Sequence, residues 1–329
     1  MGLMLAGIKT SAQRGGETLF GLLHLTQSAR VASLGGNQVG LEGNDLAMLM
    51  HNPALMDSTF TKQLSVSYVP YMAGINYGYG GIAWNFGNIG NFSLGFQHTG
   101  YGDFIAADET GLITGSFSAG ESVIQMSYSR PLSRRITAGL SIKPVFSRIE
   151  AYNSWGMAFD AGLFYRHPDQ LLSAGLVLRN FGKQISSYSD APTESLKPDL
   201  QIGIAKKLAH APFRFSLTIQ DLLSGSLDYS LENSSTTIAG ETEASWGNQL
   251  LQHLVFGAEF VPSKNFYIAT GYNHRRRQEL KVDARASTVG FTWGFGVRIY
   301  KFYFSYGSGR YHLGGSANHF SITTNLSAF

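Results

Sequence analysis

Histidine and serine are the side chains in this sequence that could carry out covalent chemistry. The nine histidines are dispersed, with no pair at helical metal-ligand spacing, and the sequence has neither a Gly-x-Ser-x-Gly elbow nor a phosphate-binding loop. A histidine that takes the proton of a nearby serine activates it for acyl transfer, and His98 with Ser93 is the pair that could be placed in this way. A histidine at a strand end is far more often an interfacial or loop residue. The sequence therefore predicts a protein that is not an enzyme and that holds no metal or cofactor.

Arginine provides the only concentrated charge in the sequence. Arg275, Arg276 and Arg277 are consecutive, and Lys281 and Arg285 follow them. A guanidinium forms paired hydrogen bonds with phosphate or carboxylate groups, so this run could bind phosphates or the acidic face of a partner. A solvated loop without a partner is the alternative.

The composition excludes several classes of protein. Only 14% of the 329 residues are charged, whereas soluble domains carry about 25%. Glycine occupies 39 positions and aromatic residues make up 13% of the chain, which argues against a soluble α/β enzyme. The absence of cysteine excludes disulfides, thiol catalysis and Cys-ligated zinc. A formal net charge of +3 is too small to predict nucleic acid as a partner.

Large apolar residues alternate with small or polar ones along many segments of the chain. In 289–299 the odd positions run from Val289 and Phe291 to Ile299, while glycine, threonine and arginine fill the even positions. No run of about 18 apolar residues occurs, so no helix can cross a bilayer of about 30 Å, and a closed β-barrel is the remaining membrane-spanning architecture. A soluble β-sandwich would also alternate, but its exposed face would carry lysine and glutamate rather than glycine, serine and threonine.

Tight turns predict the number of strands. Six turns join strong strand segments, near 88–90, 132–134, 167–169, 210–212, 262–264 and 300–301. Six hairpins, one earlier strand from about Leu64 and one later strand ending near Phe329 predict an all-β, transmembrane outer-membrane β-barrel of about 14 antiparallel strands. Both termini are then periplasmic, and the longer connections 100–120, 182–197, 222–250 and 276–285 are extracellular.

The first 60 residues do not show this alternation. Residues 1–12 look like the back half of a secretory signal, and Asp45 could cap a short helix through Met50 that Pro53 would stop. We predict an N-terminal lumenal plug over 13–60 and the barrel over 61–329, with a disordered tail as the alternative to the plug. A polar side chain followed by a fixed φ suits a sharp turn in a polar lumen. The predicted plug residues are Asp45, Asn52, Pro53, Ala54 and Leu55.

Several segments together resemble known families. The residues from His51 to Met56 contain Asn-Pro-Ala, follow a Ser-Leu-Gly-Gly segment and precede the strand pattern, which resembles the hatch of the FadL family of outer-membrane transporters for hydrophobic compounds. A narrower set is similar to the PorV/PorQ proteins of the Bacteroidetes type IX secretion system, with PorQ the nearer. This set comprises Ser28–Gly36, Met50–Leu55, Tyr68–Tyr77, Tyr101–Phe104 and Gly175–Gly182. The resemblance covers nearly the whole chain after the signal-like residues.

The two resemblances imply different functions. The PorV/PorQ resemblance implies a non-catalytic outer-membrane barrel whose extracellular loops dock a surface protein similar to PorZ, in a complex that attaches secreted cargo to lipopolysaccharide. The arginine run would then contact that partner or lipopolysaccharide phosphates. The FadL resemblance implies a transporter whose plug is a gate and whose lumen binds a hydrophobic ligand. The small, polar inward residues favour docking, whereas Phe164, Val177 and Val261 are inward apolar exceptions that favour transport.

Overall fold

Fourteen strands make up the wall of the molecule in this computed structural model. The structure describes residues 19–72, 74–189, 192–223, 250–279, 288–312 and 315–329. The strands are β1 (Gln63–Pro70), β2 (Asn76–Asn85), β3 (Asn91–Ala107), β4 (Ile113–Pro131), β5 (Ile136–Ile149), β6 (Tyr152–His167), β7 (Leu172–Ser186), β8 (Asp199–Lys207), β9 (Phe213–Ile219), β10 (Leu254–Ser263), β11 (Phe266–Asn273), β12 (Phe291–Ile299), β13 (Phe302–His312) and β14 (Gly315–Asn325). Consecutive strands pair antiparallel, and β1 pairs with β14 to close the barrel. The predicted barrel architecture and strand number are confirmed.

The alternation of side chains along each strand gives the wall an outer face and an inner face. Phe96 is 50% exposed on the outer face of β3, while its neighbour Gln97 is 1% exposed on the inner face. The same outer face carries Trp293 at 55% and Ile322 at 44% exposure. Successive side chains of a strand point to opposite faces, so an apolar exterior and a polar interior follow from the sequence pattern. Among the described residues, no helix is both long and apolar enough to span a membrane.

The structure confirms the six predicted turns. They join β2 to β3, β4 to β5, β6 to β7, β8 to β9, β10 to β11 and β12 to β13. All six lie at one end of the barrel, called here the short-turn end, and the opposite end is the long-connection end. The last strand ends at Asn325, before a 3₁₀ turn over Leu326–Ala328, and so stops slightly earlier than predicted.

Two parts of the predicted strand pattern are wrong. The connection predicted over 100–120 is mostly strand, because β3 and β4 continue as a hairpin and turn only around Asp108 to Leu112. Val289, predicted on the outer face, is 1% exposed. Gly290 after it has a φ of +91°, a left-handed conformation that interrupts the strand and breaks the alternation, so β12 begins at Phe291.

The helices are short. The α-helices with both ends among the described residues are α1 (Ala29–Ser33) and α2 (His274–Glu279). Further 3₁₀ helices span Gly21–His24, Leu46–Met50, Pro53–Leu55, Ser58–Phe60 and Gly87–Ile89. Helices of one or two turns have little stability of their own, so those before β1 depend on contacts with the wall.

Candidate functional site

Residues 19–60, called here the inner segment, precede β1, and most of them are buried in contact with inward-facing residues of the wall. The side chains that begin its helices accept backbone hydrogen bonds: Ser28 from Val31 (3.2 Å), Asp45 from Ala47 (3.0 Å) and Asn52 from Ala54 (3.0 Å). The predicted short helix from Asp45 through Met50 is confirmed, and Pro53 starts a separate 3₁₀ turn. Residues 1–18, which include the signal-like residues and the start of the predicted plug, lie outside the described residues.

Eight inward-facing glycines receive the inner segment, and they are called here the glycine seat. They form four pairs that face each other on neighbouring strands: Gly139 with Gly162, Gly175 with Gly203, Gly257 with Gly271, and Gly294 with Gly307. A Cβ atom on any of them would lie within 3.0 Å of an atom of the inner segment. Real Cβ atoms do not come this close, so the inner segment can lie on the wall only because these side chains are missing.

Three of the predicted plug residues, Asn52, Pro53 and Ala54, lie on this seat. Asn52 donates from Nδ2 to the Val39 carbonyl (3.0 Å), and its Oδ1 lies over Gly162. The backbone of Pro53 and Ala54 lies over Gly139. Asn52 therefore joins two turns of the inner segment to each other and places both on the wall. Asp45, at the other end of the group, accepts from the Ser65 hydroxyl of β1 (2.9 Å), and Leu55 is buried.

A buried ion pair fastens α1 to the wall. Arg30 donates to both carboxylate oxygens of Glu259, at 2.7 and 2.9 Å, and Arg214 donates to Glu259 at 3.1 Å. The side chains of Arg30 and Glu259 are 11% and 1% exposed. Paired hydrogen bonds between guanidinium and carboxylate are directional, so this contact sets the position of α1. The sequence analysis did not predict this ion pair. The only sign of it in the sequence is one carboxylate, Glu259, on the inward face of β10.

A second polar cluster lies where β7 bulges against β6. The register shifts between Phe159 and Ala161, which turns both Arg179 and Asn180 inward. Lys143 Nζ lies 2.7 Å from Asp160 Oδ1. The backbone amide of Asn180 donates to the same oxygen at 2.8 Å. Arg179 donates to the Leu23 carbonyl of the inner segment (3.3 Å). The Arg-Asn pair of the motif in Gly175–Gly182 thus serves as a wall contact for the inner segment.

An exposed group of charges joins the inner segment to the wall at the short-turn end. Arg166 of β6 donates to Asp57 at 3.1 Å and also contacts Glu42. Its side chain is 44% exposed. Water competes for such contacts, so they contribute little to stability.

The arginine run does not form the exposed loop cluster that the sequence predicts. Arg275, Arg276 and Arg277 lie in α2 and are partly buried at the long-connection end. Arg275 pairs with Asp221 and with Glu279 (2.7 Å), and the guanidinium of Arg276 lies over Gly36 of the inner segment. The run therefore already has protein neighbours. Lys281 and Arg285, together with 224–249 of the predicted loop 222–250, lie outside the described residues.

His51 is a buried titratable group of the inner segment. Its Nδ1 lies 3.1 Å from Asn37 Oδ1. Burial lowers the pKa of His51 well below its ordinary value, and the nearby charges of Arg179 and Lys143 lower it further. The part of the chain described here contains no group of three or more His, Cys, Asp or Glu side chains that could hold a metal ion.

We expect acid to loosen the inner segment through His51. In the seated segment the imidazole stays neutral, whereas in a released segment its pKa returns to about 6.5. The released form therefore binds more protons, and the stability of the seated form falls as the pH drops below about 6.5. Ion conductance of the protein in planar bilayers should rise between pH 7.5 and pH 5. His51→Asn does not titrate and should show a smaller rise; an equal rise would contradict the role of His51.

The wall has the features of one class of membrane protein. A closed antiparallel barrel with an apolar outer face and a polar inner face is the architecture of outer-membrane barrels. No protein-family profile and no curated protein sequence matches the chain.

Solved structures with the same fold are FadL-type barrels. A TodX deltaS2 mutant, a monoaromatic hydrocarbon channel, is similar with a TM-score of 0.54 and 13% identity, covering 91% of this chain and 97% of that chain. The toluene transporter TodX of Pseudomonas putida has a TM-score of 0.53 and 12% identity, over 91% and 96% of the two chains. A FadL homologue of Pseudomonas aeruginosa has a TM-score of 0.51 and 10% identity, over 92% and 98%. The chain thus shares the fold of FadL-type barrels.

Proposed function

We propose that this protein is a channel for small hydrophobic compounds, in which the inner segment is a movable hatch. The observation that carries this proposal is the apolar filling of the lumen. Side chains of the inner segment form one buried cluster with the few apolar side chains of the inner wall. This cluster includes Leu22, Leu23, Leu46 and Leu49 of the inner segment and Val123, Val145 and Phe164 of the wall.

The apolar contacts that fill the lumen differ in chemistry from the polar contacts that hold the inner segment in place. The contacts that fix the inner segment are directional hydrogen bonds and ion pairs, such as Arg30 with Glu259. The apolar contacts are not directional, so a hydrophobic molecule could replace leucine side chains against Val123 and Phe164 with little loss of burial. A polar solute could not replace them. This difference would let hydrophobic compounds pass while the hatch excludes hydrophilic ones.

The similar structures support the ligand class and the placement in the membrane. Two of them are described as carrying toluene or monoaromatic hydrocarbons. We place the protein in the outer membrane with its short-turn end and C-terminus in the periplasm, because the short turns of bacterial outer-membrane barrels are periplasmic. Uncharged aromatic hydrocarbons are then the first compounds to test.

Uptake into proteoliposomes tests the proposal. Vesicles containing the full chain should take up radiolabelled toluene faster than empty vesicles and should exclude a small sugar. A variant lacking residues 19–56 should still form a heat-modifiable barrel and should admit the sugar, because the hatch is gone.

Each outcome bears on a separate part of the proposal. Toluene uptake equal to that of empty vesicles would overturn the channel. Unchanged exclusion of the sugar after the deletion would show that the inner segment does not close the lumen.

A second candidate function is docking in a type IX secretion complex, and the hairpin of β3 and β4 favours it. Residues 103–117 pair only with the opposite strand of the hairpin, beyond the last pairs with β2 and β5. Ile105 is 71% exposed there, and Leu112 and Ile113 are each 67% exposed. A hairpin that projects past its neighbours and exposes apolar side chains at its tip suits a contact with a PorZ-like surface protein.

Recovery of a partner from native outer membranes tests docking. A variant with Ile105→Ser and Ile113→Ser should lose a surface partner that the tagged wild-type chain retains. A second variant with alanine at 275, 276 and 277 tests the arginine run separately. Equal recovery with wild type and both variants would contradict docking through these surfaces.

A further inference from the structure

The outer face of β3 to β6 has an open groove near the long-connection end, lined by both polar and apolar residues. Its volume is about 580 Å³, and no residue of the inner segment lines it. On the short-turn side it is bordered by outward apolar residues, including the facing pair Phe96 and Ile124. It therefore lies where the apolar outer face of the wall gives way to polar residues, the level at which membrane lipids change from chain to head group.

A serine and a histidine meet in this groove. His98 and Ser122 are a directly facing pair on β3 and β4, and His98 Nδ1 lies 2.8 Å from Ser122 Oγ. Both side chains point outward, since their neighbours Gln97 and Val123 are buried inside. The distance is within the range at which a histidine activates a serine nucleophile. For this, the imidazole proton must be on Nε2, so that Nδ1 accepts from the hydroxyl.

The strand register brings a cation beside the serine and leaves the space above it open. The next outward pair toward the long-connection end is Gly100 with Gly120, which has no side chain to cover the dyad. Across the other edge of β4, Ser122 faces Phe146 and Gly120 faces Arg148. The exposed Arg148 is thus the diagonal neighbour of Ser122, at the spacing over which long side chains reach each other. Its charge can stabilise an oxyanion or hold a phosphate.

An aromatic surface completes the groove on the side away from His98. Phe146 and Trp155 stack with their ring centroids 6.5 Å apart and their planes 19° apart. They are exposed on the outer face in the same row as Ser122. A nucleophile, a base, a cation and an apolar surface at one membrane level fit a molecule with an ester between a polar head and a hydrocarbon chain.

We propose that this groove is a hydrolase site for the ester of a membrane amphiphile such as a phospholipid. Ser122 Oγ attacks the ester carbonyl while His98 Nδ1 takes its proton, and Arg148 stabilises the oxyanion. The ester C–O bond breaks, and the alcohol leaves with the proton from His98. Water, deprotonated by His98, then attacks the acyl-serine, which releases the carboxylic acid and returns the proton to Ser122.

A fluorescent fluorophosphonate, which reacts covalently with activated serines, tests this site on the full chain in detergent. Wild-type protein should be labelled, and mass spectrometry should place the label on Ser122. Labelling should be lost in Ser122→Ala and slowed at least about 100-fold in His98→Ala, since a general base contributes about 10² to 10⁴. Ser116→Ala removes an exposed serine of the same strand and should be labelled like wild type.

Hydrolysis of a short-chain phosphatidylglycerol in mixed micelles is the second measurement. Wild type should release fatty acid, Ser122→Ala should not, and Arg148→Gln should hydrolyse slowly. Heat-modifiability of each variant checks that it has folded. Absence of labelling in folded wild type, a label on another serine, or lipid binding without release of fatty acid would overturn the proposal. None of these outcomes depends on transport through the lumen.

Discussion

Replacing Gly175 with valine should open the barrel to small hydrophilic solutes. A Cβ atom at this position would overlap the carbonyl oxygen of Val39, so the inner segment must leave that part of the glycine seat. Overpacking costs about 1–3 kcal/mol where neighbours can adjust, and here the overlapping atom belongs to a backbone held on both sides by wall contacts. The strand itself should be unharmed, because valine is a strong strand former. We expect a bilayer conductance close to that of the variant without residues 19–56.

Gly80→Val is the matched control for this prediction. Gly80 lies on the outer face of β2, and a Cβ atom there would have no neighbour within 4 Å. It changes the same residue type in the same kind of strand without touching the inner segment. If Gly175→Val and Gly80→Val conduct alike, the glycine seat does not hold the hatch.

Replacing Glu259 with glutamine should release α1 from the wall. Glutamine keeps the size of the side chain but removes the charge, which leaves Arg30 buried without its counter-ion. Removing one partner of a buried ion pair costs about 3–5 kcal/mol. This cost corresponds to a shift of roughly 100- to 4000-fold toward the released segment. Trypsin should then cleave after Arg30 in the detergent-solubilised barrel, whereas the wild-type site is protected by burial.

Arg166→Gln provides the comparison with an exposed ion pair. Arg166 also joins the inner segment to the wall, through Asp57 and Glu42, but its side chain is 44% exposed. Exposed pairs contribute about 0.2–1 kcal/mol, so protection of Arg30 should hardly change. Equal cleavage in Glu259→Gln and Arg166→Gln would show that burial of the Arg30 pair is not what holds α1.

The class of fold could be predicted from the sequence because its signals are local. Alternation in a strand has a period of two residues, set by the backbone alone, so it is readable without knowledge of any neighbour. Turn residues such as His167, Pro168 and Asp169 act within a few positions. The prediction was wrong at Val289, where one glycine with a positive φ reverses the alternation. It was also wrong over 100–120, because a long hairpin beyond the barrel rim has the same polar composition as a loop.

The same period of two residues could have excluded Ser93 as the partner of His98, which the sequence analysis had considered. Ser93 and His98 are five positions apart, so in one strand they point to opposite faces, and Ser93 is in fact buried inside. The outward partner, Ser122, follows from the register between β3 and β4. Register depends on how the whole hairpin pairs, and the sequence alone specifies it poorly when the turn is far away.

The sequence by itself determined the barrel, its strand number and, with the exception of Val289, which of the strand side chains face outward. Only the tertiary structure decided what the inward residues do. Arg30 and Glu259 are 229 positions apart, and the glycines of the seat are single residues on eight different strands. Whether these residues contact each other depends on the path of the inner segment through the lumen. That path is set by many weak contacts made at once with a closed wall, none of which leaves a pattern along the chain.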